Sequence, residues 1–282
     1  MTESRPFDDK PPAIDCARVR SILIGFLRDE VTKAGFSNAV IGLSGGLDSA
    51  VAAALAAEAL GQEHVLGALL PYRTSNTDSR DDALSFAERL GIRTREIDIT
   101  PMVDAYLDRY EPDADRVRRG NVMARQRMIV LYDLSQKERA LVVGTSNRTE
   151  LLLGYTTLYG DSASALNPLG DLLKTQVRQL AEHMELPRRI IEKPPSADLW
   201  EEQTDEGELG IGYRTADAVI ALLIDERLAP ETIIARDFSE KDVEFVRGAI
   251  RKSQFKRMPP VIAKLGHRTV NRDFRYPRDW GL

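Results

Sequence analysis

The hexapeptide Ser44-Gly45-Gly46-Leu47-Asp48-Ser49 stands between a short apolar run, Ala39 to Leu43, and an Ala-rich stretch, Leu47 to Leu60. Paired glycines let a backbone turn tightly and aim its N–H groups at an anion, and a helix opening at that point adds positive potential. Ser44 and Ser49 contribute hydroxyl donors. Asp48 binds no anion, but it suits a magnesium ion that accompanies phosphates. The loop therefore reads as a phosphate cradle. It lacks the Lys that a Walker-type loop places before its final Ser/Thr, and it is not a G-x-G-x-x-G turn. An ordinary glycine turn capped by Asp48 or Ser49 would use the same residues. Six consecutive positions in a strand-to-helix context favour the phosphate site.

Further polar groups follow at intervals. In Gly120-Asn121-Val122-Met123-Ala124-Arg125-Gln126-Arg127-Met128, Arg125 and Arg127 do not share a helix face and can serve different partners, and Arg suits bidentate binding of phosphate or carboxylate. One solvated Arg and one structural salt bridge is the plain alternative. Gly144-Thr145-Ser146-Asn147-Arg148-Thr149-Glu150 follows an apolar run, where ligands bind in open α/β sheets. There Thr145 would meet a nucleotide, and Glu150 would complete a metal shell begun by Asp48 or else serve as a helix N-terminal acid. Lys174 is expected on a polar turn just before a helix, reaching phosphates as a point charge or remaining a solvated surface residue.

These groups need a scaffold. Apolar residues at helical spacing predict helices over Ile14 to Ala34, Leu47 to Leu60, Ser79 to Leu90, Arg119 to Glu138, Thr175 to Met184, Ala216 to Asp225 and Glu240 to Arg251. Short β-branched runs predict strands at Ala39 to Leu43, Val65 to Leu70, Arg93 to Ile99 and Ala140 to Val143. Strands separated by helices imply right-handed crossovers. The expected class is α/β: an open, mostly parallel twisted sheet with helices on both faces and a helical C-terminal part. Residues 1–13 read as a flexible leader and 14–282 as one domain, with a basic irregular tail from about residue 254.

Composition narrows the classes. The chain has 282 residues, 39 Lys+Arg against 44 Asp+Glu, a net charge of −5, and one Cys. Its acidity weakens a nucleic-acid role. Cys16 cannot form an internal disulfide, which favours a reducing compartment, and it reads as a bland thiol in a helix. The dispersed His64, His183 and His267 argue against structural zinc. No apolar run approaches the roughly 18 residues of a membrane span, and no targeting signal opens the chain, so a cytoplasmic protein is expected.

The first loop resembles the pyrophosphate loop of ATP pyrophosphatase enzymes, which have a Rossmann-like sheet. With GNVMARQRM, GTSNRTE and GDLLKTQVRQLA in this order, and with Pro194 to Trp200 and Gln203 to Gly210 downstream, the chain closely resembles the ammonia-dependent NAD synthetases from about Ile14 onward. That resemblance implies a ligase that amidates deamido-NAD with ammonia, giving NAD, AMP and pyrophosphate through an adenylated intermediate, with ATP as co-substrate and Mg2+ as cofactor. By similarity, Gly42, Leu43, Ser44, Gly45, Gly46, Leu47, Asp48, Ser49, Thr145, Lys174 and Ser196 bind ATP. Asp48 and Glu150 bind the metal. Arg125, Asp205, Glu208 and Lys256 contact deamido-NAD, with Arg257 beside Lys256 in a basic pair that closes over the substrate. Asp205 and Glu208 match a segment lining the nicotinate end of the pocket across a dimer interface. Asp48, Lys174 and Asp161 are the expected catalytic groups, and Asp161, Asp205 or Glu208 could take the proton from ammonium. A homodimer is implied, with no membrane and no nucleic-acid partner.

Five positions depart from the family pattern. Leu158 stands where a Lys is usual, Ala165 where an Asp is usual, Ser162-Ala163 for Gly-Gly, and Phe255 for His. They touch substrate contacts and leave the ATP site intact. A tRNA-modifying pyrophosphatase or a non-catalytic ATP-binding module would share the loop, but the first would call for a broader basic surface or paired cysteines, and the second leaves Glu150, Lys174 and the acid-rich segment unexplained. From Arg247 to Leu282 there are ten Lys/Arg against two Asp/Glu, whereas Glu192 to Glu208 holds seven acids and Lys193 alone. The basic tail is expected to act as a lid over phosphates. The length is read as leaving no room for a fused glutaminase, so the nitrogen source is expected to be free ammonia or ammonia delivered by a separate protein.

Overall fold

The computed structural model describes residues 12–200 and 203–270. Its first half alternates as the apolar pattern predicts: α1 (Cys16–Lys33), β1 (Asn38–Gly42), α2 (Leu47–Leu60), β2 (Val65–Leu69), α3 (Thr77–Leu90), β3 (Arg93–Glu96), α4 (Thr100–Tyr110), α5 (Arg116–Glu138) and β4 (Ala140–Val143). The second half is helical: α6 (Arg148–Leu153), α7 (Lys174–His183), α8 (Arg188–Ile191), α9 (Asp205–Leu209), α10 (Tyr213–Ile220), α11 (Pro230–Ile234) and α12 (Glu240–Lys252).

The strands form one parallel sheet in the order β3-β2-β1-β4. Val40 pairs with Leu66 of β2 and with Val142 of β4. Side chains alternate across a strand, so the two faces of β1 feed different cores. Ala39 and Ile41 pack with α1, α2, α3 and α7 residues such as Leu27, Leu55, Phe86 and Leu180. Val40, with Leu66 and Val142, packs with Val103 and Leu107 of α4 and with Val130 and Leu134 of α5. The Ala-rich α2 buries Ala50, Ala52, Ala53 and Ala56 and so lies close on the sheet. A third core joins Leu153, Leu173, Ile220, Ile233, Val243 and Val246 in the C-terminal helices.

The chain winds from β1 to β2 to β3 on one side, then crosses to β4 on the other side of β1. The crevice where that order reverses lies beyond the C-terminal ends of β1 and β4, where an open α/β sheet binds ligands. Loop 43–46 and loop 144–147 both end there.

Several expectations are corrected. The strand expected to Ile99 ends at Glu96, with all four β3 residues exposed; beyond it Ile97 and Ile99 still donate backbone N–H groups to Leu69 and Pro71. Five helices lie outside the expected ones: α4, α6 and the short α8, α9 and α11. The helix expected over Ala216 to Asp225 starts at Tyr213 and changes to a π turn over Ala221–Asp225. Part of the expected leader is held: the Pro12 carbonyl accepts from Gln176 and Gln179 of α7. Residues 1–11, Glu201, Glu202 and the tail beyond Val270 lie outside the described residues. No helix among the described residues is long and apolar enough to cross a membrane.

Candidate active site

The loop after β1 is braced by its own hydroxyls. Ser44 Oγ accepts from the Gly46 N–H (3.2 Å) and lies 3.1 Å from Ser49 Oγ, which donates to the Gly46 carbonyl (3.0 Å). Gly45 is left-handed (φ 72°), and a Cβ there would come within 2.0 Å of the Ser79 carbonyl oxygen. Only glycine fits that turn. Gly46 is the N-cap of α2, and no side chain caps this helix. The capping alternative for Asp48 and Ser49 therefore fails, and the first-turn N–H groups stay available to an anion.

The loop after β4 converges on the same place. Asn147 and Glu150 form a reciprocal capping box at the start of α6: Asn147 Oδ1 accepts from the Glu150 N–H (3.0 Å), and Glu150 Oε2 accepts from the Asn147 N–H (3.2 Å). Asn147 Nδ2 reaches across to Asp48 Oδ1 (3.0 Å). This leaves Glu150 Oε1 3.5 Å from Lys174 Nζ.

Of the two readings of Lys174, the solvated surface residue does not hold. It is the first residue of α7, only 5% exposed, and its ammonium is paired with Asp48 and Glu150 and lies over the Tyr213 ring at 5.2 Å. Burial works against the charged lysine, yet Asp48 and Glu150 outweigh it and hold Lys174 above its usual range. Burial, reinforced by Asp48, pushes the Glu150 carboxyl up to about 8. Asp205, from α9, stands in the same field: Tyr213 donates to its Oδ2 (2.9 Å), while its buried Oδ1 has no partner among the described residues. Burial raises the Asp205 carboxyl, opposed by Lys174.

Glu208, also on α9, parts company with Asp205. It is exposed and accepts from the Tyr155 hydroxyl (2.5 Å) and from Gln203 Nε2 (3.1 Å). Asp161 is exposed too and accepts from the Thr157 N–H (2.7 Å), closing the turn that carries Leu158 and Tyr159. Arg125 donates to the Leu158 carbonyl (3.2 Å) on that turn. Arg127 instead donates to the Leu70 carbonyl beyond β2 (3.0 Å). The two arginines thus serve different partners. Thr145 sits half-buried at the end of β4, and the exposed Ser196 accepts from the Asp198 N–H (3.1 Å).

Lys256 and Arg257 do not stand as a free pair. Lys256 Nζ donates to the Gly154 (2.7 Å) and Thr156 (2.6 Å) carbonyls, and Arg257 donates to those of Leu151, Leu152 and Ile250. They clamp the C-terminal end of α6, where carbonyls lack helical partners.

Two site residues were missed by sequence reasoning. Lys193 Nζ binds Ser79 Oγ and Asp82 Oδ2 (each 3.0 Å) and approaches the Gly45 carbonyl (3.4 Å), tying the glycine loop after β1 to α3 and to the Ser196 segment. It stood out only as the lone base in an acidic stretch. Asp217 of α10 is fully buried and ties Thr149 to Thr175; no local pattern marks it.

A profile of the NAD synthase family matches residues 19–260. The chain is 54% identical over 268 residues to the NH3-dependent NAD+ synthetase of Trichlorobacter lovleyi, a match spanning 95% of this chain and 98% of that one. Among solved structures, the NMN synthetase from Francisella tularensis superposes with a TM-score of 0.80 at 33% identity, covering 89% of this chain and 99% of that one. The NH3-dependent NAD synthetase from Campylobacter jejuni, in complex with the nitrate ion, does so with a TM-score of 0.77 at 32% identity, covering 89% and 100%.

Proposed function

The chain belongs to the NAD synthase family, and we propose how its own residues divide the work of that family's reaction. The reaction is the ATP-dependent amidation of deamido-NAD with ammonia, giving NAD, AMP and pyrophosphate, the last step of NAD biosynthesis. The chain is a C–N bond-forming ligase of this kind.

One observation carries the assignment of roles: a buried lysine, Lys174, faces Asp48 and Glu150 at the crevice between β1 and β4. In this reading the uncapped N-terminus of α2, the N–H groups of residues 42–49 and Lys174 hold the ATP phosphates, while Thr145 and Ser196 border the nucleotide. Arg125 meets deamido-NAD beside the 155–161 turn. The nicotinate carboxylate attacks the α-phosphorus and pyrophosphate leaves, its developing charge met by Lys174 and the loop. Ammonia then attacks the mixed anhydride and AMP leaves. No protein nucleophile is needed, since positioning and electrostatics suffice. Asp205 is a better candidate than Asp161 or Glu208 to take the proton from ammonium, because its buried Oδ1 has no hydrogen-bond partner among the described residues and its carboxyl feels the charge of Lys174.

The donor set fits Mg2+. Asp48 and Glu150 supply carboxylate oxygens within reach of one cation, and Mg2+ is commonly held by one or two carboxylates together with substrate phosphates. Glu150, raised by burial and by Asp48, gains from a further positive charge. Asp48 and Glu150 would hold the ion, and bound there it would neutralise charge on the phosphate oxygens.

A homodimer is supported by exposed apolar side chains on α4 and α5, among them Tyr106, Tyr110, Ile129 and Tyr132. The free thiol of Cys16 suits a reducing cytoplasm.

The test supplies ATP, Mg2+, ammonium and deamido-NAD, with nicotinate mononucleotide as a competitor because one solved relative is an NMN synthetase. NAD and AMP should form from deamido-NAD, and Asp48→Asn and Lys174→Met should each lose exchange of labelled pyrophosphate into ATP. Normal exchange in both variants would sink the division of roles.

A further inference from the structure

Asp217 lies on α10, outside both loops that form the crevice, and is 0% exposed. Its carboxylate accepts from Thr149 Oγ1 (2.5 Å), the Thr175 N–H (2.8 Å) and Thr175 Oγ1 (2.7 Å). Thr149 Oγ1 in turn accepts from the Lys174 N–H (3.0 Å). Thr149 immediately precedes Glu150, and Thr175 immediately follows Lys174. One buried carboxylate thus joins the opening turns of α6 and α7 at the residues flanking the two groups that face Asp48. Further ties at this junction are the Arg148 N–H on the Leu172 carbonyl (2.8 Å), Arg148 beside Asp171 (4.0 Å) and Glu150 beside Lys174 (3.5 Å). Burying a carboxylate is costly unless its oxygens are fully satisfied, and a plain helix contact would be served by an apolar residue, as at Ala216 and Val219 on either side.

We propose that Asp217 is a positioning residue for the phosphate chemistry, setting the distance between Lys174 and Glu150 through Thr149 and Thr175. The proposal rests on the assignment of Lys174 and Glu150 made above. A flexible lysine side chain delivers its ammonium reproducibly only from a fixed base, and a displacement near 1 Å in such a group costs about 100-fold in rate.

The test compares Asp217→Asn, Thr149→Val, Thr149→Ser and the double variant Asp217→Asn/Thr149→Val for kcat, KM and thermal midpoint. Asn keeps the size of Asp but puts an amide, which cannot accept from the Thr149 hydroxyl, in place of one carboxylate oxygen, and Val keeps the shape of Thr while removing both the donor to Asp217 and the acceptor of the Lys174 N–H. The expected result is a kcat lowered about 10- to 100-fold in Asp217→Asn and in Thr149→Val, with KM for deamido-NAD within about twofold. Thr149→Ser should restore most of the rate. The double variant should be no slower than the slower single one, because both act on one linkage. Folded Asp217→Asn and Thr149→Val with kcat within about twofold of the parent, or effects that multiply in the double variant, would overturn the proposal. Should Asp217→Asn fail to fold, Thr149→Val decides alone. Lys174→Met separates the premise from the inference. If it is inactive while the Asp217 and Thr149 variants keep full rate, only the inference fails; if it keeps full rate, both fail.

Discussion

Lys174 and Asp48 lie 126 positions apart in the chain, and the fold sets the ammonium of one against the carboxylate of the other. Asp48 comes from the first turn of α2 and Lys174 from the first residue of α7, two helices that pack on the same face of the sheet. A buried ammonium would ordinarily lose its proton, but here two carboxylates keep it charged. The site therefore stores a cation that an incoming triphosphate must share with Asp48 and Glu150. That is a reason for a second cation to arrive with the phosphates.

The phosphate loop depends on Gly45 more than on any side chain within it. Gly45→Ala places a methyl group on a left-handed residue, where L side chains are strained by about 1–3 kcal/mol, and within 2.0 Å of the Ser79 carbonyl oxygen. The carbonyl is backbone at the start of α3 and cannot swing aside, so the loop must move. The expected outcome is a raised KM for ATP and a lowered thermal midpoint together. An unchanged KM for ATP in a folded Gly45→Ala protein would count against the loop as the phosphate cradle.

Much of this site could be read before the fold was known. Strands β1 and β4 and helix α2 stand out as continuous apolar runs, and the two loops that follow the strands lead into Asp48, Thr145 and Glu150 in short contiguous motifs. Helix α4 escaped because Val103 and Leu107 are its only buried residues. The burial of Lys174 is not legible locally, because it depends on two acids elsewhere in the chain, Asp48 and Glu150. Lys193 and Asp217 act through partners more than 30 residues distant, such as Asp82 and Thr149. Lys256 and Arg257 show only their charge in the sequence, and the backbone carbonyls that hold them are not visible there.

Lys193 holds the back of the phosphate loop. Its partner Asp82 is buried and is shared with Arg189 (2.6 Å). Lys193→Met removes the bonds to Ser79 and Asp82 and leaves Asp82 with Arg189 alone. A charge-assisted hydrogen bond of this kind contributes about 1.5–3 kcal/mol. Lys193→Met should lower stability by about that amount and raise KM for ATP, while KM for deamido-NAD stays the same. Calorimetry and steady-state kinetics check it, and a variant that loses stability without any change in KM for ATP would reduce Lys193 to a purely structural tie.

Lys256 is predicted to act on the substrate pocket through the chain rather than through phosphate. Its ammonium fixes the Gly154 and Thr156 carbonyls, and burial lowers its pKa. The anchored segment leads directly into the turn whose Leu158 carbonyl receives Arg125. Lys256→Met should cost about 1.5–3 kcal/mol in stability and raise KM for deamido-NAD, with pyrophosphate exchange into ATP less affected than the overall reaction. If KM for deamido-NAD rises while the thermal midpoint is untouched, the lysine contacts substrate directly, and the structural clamp is not its main role.

The exposed apolar face of α4 and α5 offers the last prediction. Tyr106 and Tyr110, one helical turn apart, are 45% and 62% exposed, and on α5 Ile129 and Tyr132 are 52% and 41% exposed. Large apolar side chains left exposed on a pair of packed helices mark a candidate interface, and tyrosine is enriched among residues that dominate interface energy. Tyr110 is the most exposed aromatic side chain of this group, so a charge there should disturb a contact without entering the core. Tyr110→Glu should shift a dimer toward monomer, raising its dissociation constant about tenfold or more, with the thermal midpoint of the separated chain close to that of the parent monomer. Light scattering across a dilution series reads the shift. Arg125 lies on the same helix as Ile129, one turn away and so on the same face, and loss of the contact should also raise KM for deamido-NAD. A Tyr110→Glu protein that remains dimeric at low concentration would place the dimer contact on another face.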